Sequence, residues 1–226
     1  MRRRIAQALN KFRGCACTWP FTFGVRLGWA TVSTPNPDPR HALGRAYFLR
    51  GQCTVFSRGF GVMCDRLRQA GVWAEDLRCV GDRWVRRHLL ADRQADKLRG
   101  PLILVGHSCG GRYALFTADQ LARHGINVDL LICVDVARPY EVTANVRHAV
   151  HIYRSRRRIY PARPLRPAQG STARITNLDL DAIDSPISPA WLHHLNITTS
   201  ESVQLWILGQ ILETVGGIAK QRPRPA

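Results

Sequence analysis

A serine stands between two glycines in Gly106-His107-Ser108-Cys109-Gly110, which fits the pattern G-x-S-x-G. In this pattern a strand turns sharply into a helix, and the serine hydroxyl is presented at the turn. The glycines have a steric reason, because side chains two residues before and after the serine would collide across so tight a turn. A serine hydroxyl is a poor nucleophile unless a base lies within hydrogen-bond reach. The pattern therefore predicts nucleophilic catalysis at Ser108.

The residues around Ser108 predict the strand and the helix that the turn would join. Residues 102–105 form an unbroken apolar run, which suits a central parallel strand buried on both faces. After the serine, apolar residues recur at helical spacing, and Gly125 is expected to end the helix. The recurring residues are Ala114, Leu115, Ala118, Leu121 and Ala122.

The rest of the chain predicts an alternation of strands and helices. Strands are expected at 45–49, 77–80, 129–136 and 149–153, with an edge strand at 175–182, where polar residues alternate. Helices are expected from Ser57, as the N-cap, to Gly71, from Asp82 to about residue 98, and from the capping box at 198–201 to the glycines at 216–217. This order indicates an α/β fold with a doubly wound, mostly parallel sheet flanked by helices.

The composition indicates one folded domain with a basic surface. The chain has 226 residues, of which 45% are hydrophobic, and this excludes wholesale disorder. The net charge of +17 would suit a polyanionic partner, but only three of the 33 basic residues are lysines and the arginines are dispersed. No nucleic-acid-binding motif accompanies the charge, so no specific nucleic-acid partner is expected.

Seven scattered cysteines indicate neither a disulfide framework nor a metal site, and no cofactor is expected.

Residues 1–40 combine a basic cluster, a weakly apolar run and a proline-rich linker, which resembles a weak secretory signal or a membrane-surface segment. Localisation is therefore undecided between the cytoplasm and export. Residues 41–217 are expected to form the folded domain, and residues 218–226 a basic tail.

The order of elements, the G-x-S-x-G turn and a histidine late in the chain together resemble the α/β-hydrolase family. The resemblance covers residues 45–217 and is strongest to small, lid-poor bacterial serine esterases, lipases and thioesterases. It implies hydrolysis of a small-molecule ester or thioester through an acyl-enzyme, with serine, acid and histidine in that order along the chain. About ten residues separate the strands at 129–136 and 149–153, which leaves no room for a cap domain.

Residue by residue, the resemblance makes Ser108 the nucleophile and places the base in the loop after the last strand. That loop contains His193 and His194, and His194 is preferred because it directly precedes the turn into the final helix. His107 is then a neighbour within the motif and not the base.

The acid is expected to be Asp135, at the carboxyl end of a buried strand, with Asp179 as the alternative. Many family members carry it in the loop that corresponds to 154–163, and here that loop contains no carboxylate. The resemblance also implies an oxyanion hole made by two backbone N–H groups, those of Cys109 and Gln52. The segment 50–52 resembles the His-Gly-x loop of the family, with Arg50 in place of the histidine.

Two other hypotheses compete with a serine hydrolase. The carboxylate missing from its commonest place suggests a catalytically silent α/β-hydrolase-like binding protein. The net charge alone suggests a binder of polyanions or membrane surfaces. The arginine-rich loop would border the site, and an anionic substrate or lipid surface could be contacted there by Arg154, Arg156, Arg157 and Arg158.

Overall fold

The computed structural model describes residues 34–52, 54–78, 81–95, 97–98, 100–156, 162–182, 184–187 and 191–221. Within these ranges the strands are β1 (Arg45–Leu49), β2 (Trp73–Leu77), β3 (Leu102–His107), β4 (Val128–Val134), β5 (Val146–Tyr153) and β6 (Arg174–Asp179). The α-helices are α1 (Gly59–Gln69), α2 (Asp82–Gln94), α3 (Cys109–Ala122) and α4 (Glu201–Gln221). Short 3₁₀ turns lie at Thr54–Ser57 and Ile197–Thr199.

The six strands form one sheet in the order β2-β1-β3-β4-β5-β6, and every neighbouring pair is parallel. Side chains of α1 and α4 pack on one face of the sheet, and side chains of α2 and α3 pack on the other. The central strands β3 and β4 are therefore almost entirely buried, as continuous apolar runs require. The segment between β4 and β5 has one isolated bridge and no helix. The predicted doubly wound α/β fold, with a parallel sheet flanked by helices, is confirmed.

The glycines predicted to end α1 and α3 do so. Gly71 and Gly125 have φ angles of 85° and 64°, in the left-handed region that closes many helices. The glycines at 216–217 do not end a helix, because α4 continues to Gln221 and neither glycine has a positive φ. Glycine lowers helix propensity but does not forbid the helical conformation, and the buried Val215 anchors this part of α4 in the core.

The second strand lies at Trp73–Leu77 and not at 77–80, so its predicted position is wrong. Trp73 and Ala74 are buried against the core, whereas the following Glu75 and Asp76 made the segment look unlike a strand. Both carboxylates have distant partners. Glu75 accepts a hydrogen bond from Asn36 at 2.7 Å, and Asp76 is paired with Arg50.

Residues 34–40, part of the predicted linker, are tied to the sheet. The Asn36 side chain accepts hydrogen bonds from the Ala74 amide at 2.8 Å and from Arg68 at 3.2 Å. The remainder of the predicted N-terminal segment, up to residue 33, and the tail from residue 222 lie outside the described residues. None of the helices in the described ranges combines the length and hydropathy needed to cross a membrane.

Candidate active site

Ser108 occupies the turn between β3 and α3 in a strained backbone conformation. Its φ and ψ angles are 56° and −125°, outside the regions that non-glycine residues favour. Its amide donates a hydrogen bond to the Val134 carbonyl at 2.9 Å, which ties the turn to the end of β4. Its side chain is partly exposed. The predicted turn geometry is therefore present, with the serine at the carboxyl edge of the sheet.

The two glycines of the motif lie where backbone segments come into contact. A methyl group on Gly106 would overlap the Gly110 carbonyl, and one on Gly110 would overlap the carbonyls of Leu49 and Arg50. The start of α3 is thus pressed against the end of β1. This contact brings the loop after β1 to the serine, and a Cβ on Gly51 would lie 3.3 Å from the Ser108 Cβ.

Asp135 and His194, which are 59 residues apart in the chain, are hydrogen bonded: His194 Nδ1 lies 2.8 Å from Asp135 Oδ2. Asp135 directly follows β4, has a φ of 50° and is 1% exposed. His107 and Val134 are paired in register on β3 and β4, so Ser108 and Asp135 leave adjacent strands at the same edge. A carboxylate that accepts the Nδ1 proton leaves Nε2 of the neutral imidazole as the proton acceptor.

The alternative residues have other contacts. Asp179 Oδ1 accepts hydrogen bonds from the amides of Ser155 at 3.1 Å and Asp181 at 3.0 Å, so it stabilises the loops at the end of β6. His193 is exposed, and its Nδ1 accepts a hydrogen bond from the Leu195 amide at 3.2 Å.

The two expected oxyanion donors lie on the turn after β3 and on the loop after β1. Cys109 is the first residue of α3, at the positive end of the helix dipole. Gln52 is exposed in the loop after β1. Arg50, which stands where the family loop has histidine, does not reach toward the serine as a donor. Its Nε donates to Asp76 Oδ1 at 2.7 Å, and a second guanidinium nitrogen contacts Asp76 Oδ2.

The family model for the alpha/beta hydrolase family matches residues 28–206, which is most of the chain. This chain belongs to the alpha/beta hydrolase family. The match confirms the family that the sequence resembles. No curated protein sequence matches the chain significantly.

Two solved structures of this fold illustrate how far the similarity extends. A Xanthomonas campestris pv. campestris protein assigned to the alpha/beta hydrolase superfamily is 16% identical, with coverage of 79% of this chain and 99% of that chain and a TM-score of 0.38. The thioesterase RedJ of the prodiginine biosynthetic pathway in Streptomyces coelicolor is 12% identical, with coverage of 84% and 92% and a TM-score of 0.47. At these sequence identities and TM-scores, neither structure indicates which substrate this chain binds.

In this α/β-hydrolase chain, His107 connects the two loops that flank the serine. Its Nε2 lies 3.1 Å from the His194 carbonyl oxygen, and its Nδ1 lies 2.9 Å from Ser57 Oγ. A carbonyl only accepts, so Nε2 carries the proton, and Nδ1 of the neutral ring accepts from the Ser57 hydroxyl. Ser57 Oγ in turn accepts from the Gly51 amide at 3.0 Å. The chain of hydrogen bonds fixes the Gly51 loop relative to the His194 loop.

The expectation that Ser57 caps α1 is therefore wrong. The N-cap position of that helix is Arg58, which makes no side-chain capping bond, and the Ser57 hydroxyl is fully buried beside His107. No local sequence signal distinguishes a capping serine from one that bonds a histidine 50 residues away.

His151, on β5, supports the turn that carries Asp135. Its Nε2 accepts a hydrogen bond from the Val136 amide at 3.0 Å, and its ring stacks on Tyr153 with centroids 4.7 Å apart. Burial lowers the pKa of His151 to about 4, although the charge of Asp135 acts in the opposite direction. The ring is therefore neutral at pH 7, as its role as an acceptor requires. Nothing in the local sequence around His151 predicts this role.

Arg154 anchors the loop that carries His193 and His194. Its guanidinium donates to Asp181 Oδ1 at 2.6 and 2.8 Å and to the Leu192 carbonyl at 2.5 Å. Burial by itself would raise the pKa of the Asp181 carboxyl, but the hydrogen bonds and charges of Arg154 and Arg156 outweigh it and lower the pKa. Arg154 thus has an internal partner, and its contact with an external anion stays a prediction.

Of the other members of the predicted basic surface, the structure describes Arg156. The Arg156 backbone amide donates to Asp181 Oδ2 at 2.9 Å, and Arg157 and Arg158 lie outside the described residues.

Within the described ranges, no group of three or more histidine, cysteine or acidic side chains is placed to hold a metal ion.

We expect Ser57→Ala to destabilise the fold by about 1–3 kcal/mol, because it leaves the buried Gly51 amide and His107 Nδ1 without their partner. Urea unfolding at pH 7 measures the change. Ser202→Ala is the matched control, since that hydroxyl is exposed in the first turn of α4, and its effect should stay within about 0.5 kcal/mol. Equal stabilities of the two variants would contradict the described role of Ser57.

We also expect His151 to make the fold acid-sensitive between pH 4 and 6.5. The unfolded chain binds a proton at the ordinary histidine pKa of 6.5, whereas the folded protein binds it only near 4, so acid favours unfolding. The free energy of unfolding should rise with pH across this window by an amount of order 3 kcal/mol from this group. His151→Gln should have a smaller rise between pH 4.5 and 7 in urea unfolding. An unchanged slope would show that other groups cause the sensitivity.

Proposed function

We propose that this member of the alpha/beta hydrolase family is a serine hydrolase that cleaves carboxylic esters or thioesters through an acyl-enzyme at Ser108. The observation that carries the proposal is the Asp135–His194 hydrogen bond at the same sheet edge as the strained serine. An imidazole oriented by a buried carboxylate is the base that a serine nucleophile requires.

In the proposed mechanism, His194 Nε2 takes the proton of the Ser108 hydroxyl while Oγ attacks the carbonyl carbon of the substrate. The resulting oxyanion accepts hydrogen bonds from the backbone N–H groups of Cys109 and Gln52. Collapse of this intermediate expels the alcohol or thiol, which receives the proton from His194. A water molecule then attacks the acyl-enzyme with His194 again as base, and the carboxylic acid leaves with Ser108 restored.

Asp135 keeps the histidine in the tautomer that this sequence of steps needs. Its Oδ2 holds the Nδ1 proton and stabilises the imidazolium that forms at each transfer. The hydrogen bond from His107 to the His194 carbonyl limits the movement of the same loop from the other side. The base is thus positioned through its ring and through its backbone.

The position of Gly51 supports the proposed oxyanion hole. With no side chain between it and Ser108, the loop after β1 can approach the turn closely enough for a backbone donor. The positive end of α3 adds to the stabilisation of negative charge at the same place. The absence of helices between β4 and β5 supports an open site that accepts bulky acyl groups.

A catalytically silent binding protein is the competing hypothesis. It was motivated by the lack of a carboxylate in the loop at 154–163. Asp135 provides a carboxylate to His194 from the end of β4, which removes that motivation. Fluorophosphonate labelling separates the two hypotheses, because only an activated serine reacts with the reagent.

Ser108→Ala should abolish fluorophosphonate labelling and lower kcat for para-nitrophenyl esters by at least about a thousandfold, because it removes the hydroxyl on which the proposed acyl-enzyme forms. Circular dichroism and urea unfolding should show a folded protein that is at least as stable as wild type. Alanine and serine both carry a Cβ, so the substitution adds no backbone strain at this position. A variant that keeps more than a few per cent of the wild-type rate, on the scale of such losses, would exclude Ser108 as the nucleophile.

His194→Ala should be nearly as damaging as Ser108→Ala, and Asp135→Asn should lower kcat by about 10³- to 10⁴-fold, since asparagine favours the wrong imidazole tautomer. His193→Ala and Asp179→Asn are the matched controls, and each should stay within about tenfold of wild type. Steady-state rates at one pH decide the ranking. If His193→Ala were more damaging than His194→Ala, His193 would be the base. If Asp179→Asn were more damaging than Asp135→Asn, Asp179 would be the acid.

A further inference from the structure

A groove of about 290 Å³ runs along the exposed side of α3, and its lining begins at the first residue of that helix. Its lining combines residues at helical spacing on α3 with one residue from the β4–β5 loop: Cys109, Arg112, Tyr113, Phe116 and Tyr140. Cys109 directly follows Ser108, so a molecule held at the serine could extend into this groove.

The groove is walled by aromatic rings that the core does not use. Tyr113, Phe116 and Tyr140 are 36%, 38% and 48% exposed, whereas the apolar residues on the opposite side of α3 are buried against the sheet. Large exposed apolar side chains that cluster around a concavity are typical of ligand sites. Flat rings favour a flat apolar ligand, because aromatic pairs stack or meet edge to face.

Arg112 adds a positive charge at the rim. Its guanidinium carbon lies 4.6 Å from the centroid of the Tyr140 ring, and Nη2 donates to the Tyr140 hydroxyl at 2.8 Å. In the part of the chain that the structure describes, no carboxylate forms an ion pair with Arg112. The tyrosine ring therefore orients the guanidinium without neutralising it, and the remaining N–H groups can bind an anion.

A second arginine, Arg86, contacts the Phe116 ring from outside the lining of the groove. Arg86 lies over the Phe116 ring at 5.4 Å, but its guanidinium is paired with Asp82 at 3.1 Å. Its charge is therefore already compensated. Among the described residues, Arg112 is thus the groove arginine without a carboxylate partner, and its planar fork can bind a carboxylate through two N–H groups.

We propose that this groove binds an aromatic part of the substrate and that Arg112 pairs with a carboxylate on that part. The inference rests on the proposed function and narrows it to aromatic esters or thioesters that carry a carboxylate. Such a group would lie on either the acyl or the alcohol side of the scissile bond, and two pairs of probes test the two sides.

The alcohol side is tested with para-acetoxybenzoate and its methyl ester, and the acyl side with monomethyl and dimethyl terephthalate. Each pair differs in one negative charge on the ring. The measured quantity is the ratio of kcat/KM for the anionic ester to kcat/KM for its neutral partner. Comparing this ratio between variants cancels the intrinsic reactivity of the esters.

For at least one pair, Arg112→Gln should lower this ratio by about tenfold or more, because a charge-assisted bond to the carboxylate is lost. Arg112→Lys keeps the charge without the planar fork and should lower it less. Arg123→Gln is the matched control, since it removes the same charge at the C-cap of α3, eleven residues further along the chain and about 16 Å along the helix axis. It should leave the ratio at the wild-type value.

The proposal is overturned if Arg112→Gln leaves both ratios within about twofold of wild type or if Arg123→Gln lowers them equally, which would indicate a general effect of net charge. In either case hydrolysis of the neutral esters would leave the serine-hydrolase proposal standing.

If no ester is hydrolysed, the proposed function fails, and NMR titration of the Ser108→Ala protein with monomethyl terephthalate tests whether the groove binds the anion. Shifts that Arg112→Gln weakens would support the anion site, and the lack of such a dependence would overturn it.

Discussion

The buried carboxylate of Asp135 is the constraint on which the site depends. It is 1% exposed, and an ionised carboxylate in such a place is costly unless it is hydrogen bonded or paired. His194 meets this requirement through a 2.8 Å hydrogen bond, and His151 holds the following residue, Val136, in place. The hydrogen bond to the Asp135 carboxylate therefore holds the loop that carries His194 at the end of β4. The proposed chemistry requires His194 in this position.

Backbone strain is concentrated at the same edge of the sheet. Among the described residues, Ser108, Asp135 and Trp191 are the non-glycine residues with a left-handed φ, and Trp191 lies three positions before His194. Conformations of this kind cost about 1–3 kcal/mol each and persist where the surroundings enforce them. Here the hydrogen bonds of Ser108 to β4 and of the Asp135 amide to Ile152 on β5 supply that enforcement. Stability is given up where side chains must converge.

The large positive charge of the chain has a structural use that its total does not reveal. Arg45 is almost fully buried and is paired with Asp92, Arg50 is paired with Asp76, and Arg154 joins Asp181 to the Leu192 carbonyl. In each case one planar guanidinium connects segments that are distant in sequence. Arg112 differs because its described partner is an aromatic ring with a hydroxyl and not a carboxylate, and the proposed ligand contact rests on this difference.

The sequence by itself determined the elements whose signals are local: the apolar strands β3 and β4, the serine turn, and the glycines that end α1 and α3. These features follow from steric limits and burial within a few residues. The strand β2 was misplaced because the partners of its carboxylates are distant, and Ser57 was misread because its partner, His107, lies on another strand. The sequence points to Asp135 through its place at the end of a buried strand and to His194 through its place before the final helix. Their contact across 59 residues depends on the register of parallel strands and on loop packing, which only the tertiary structure decides.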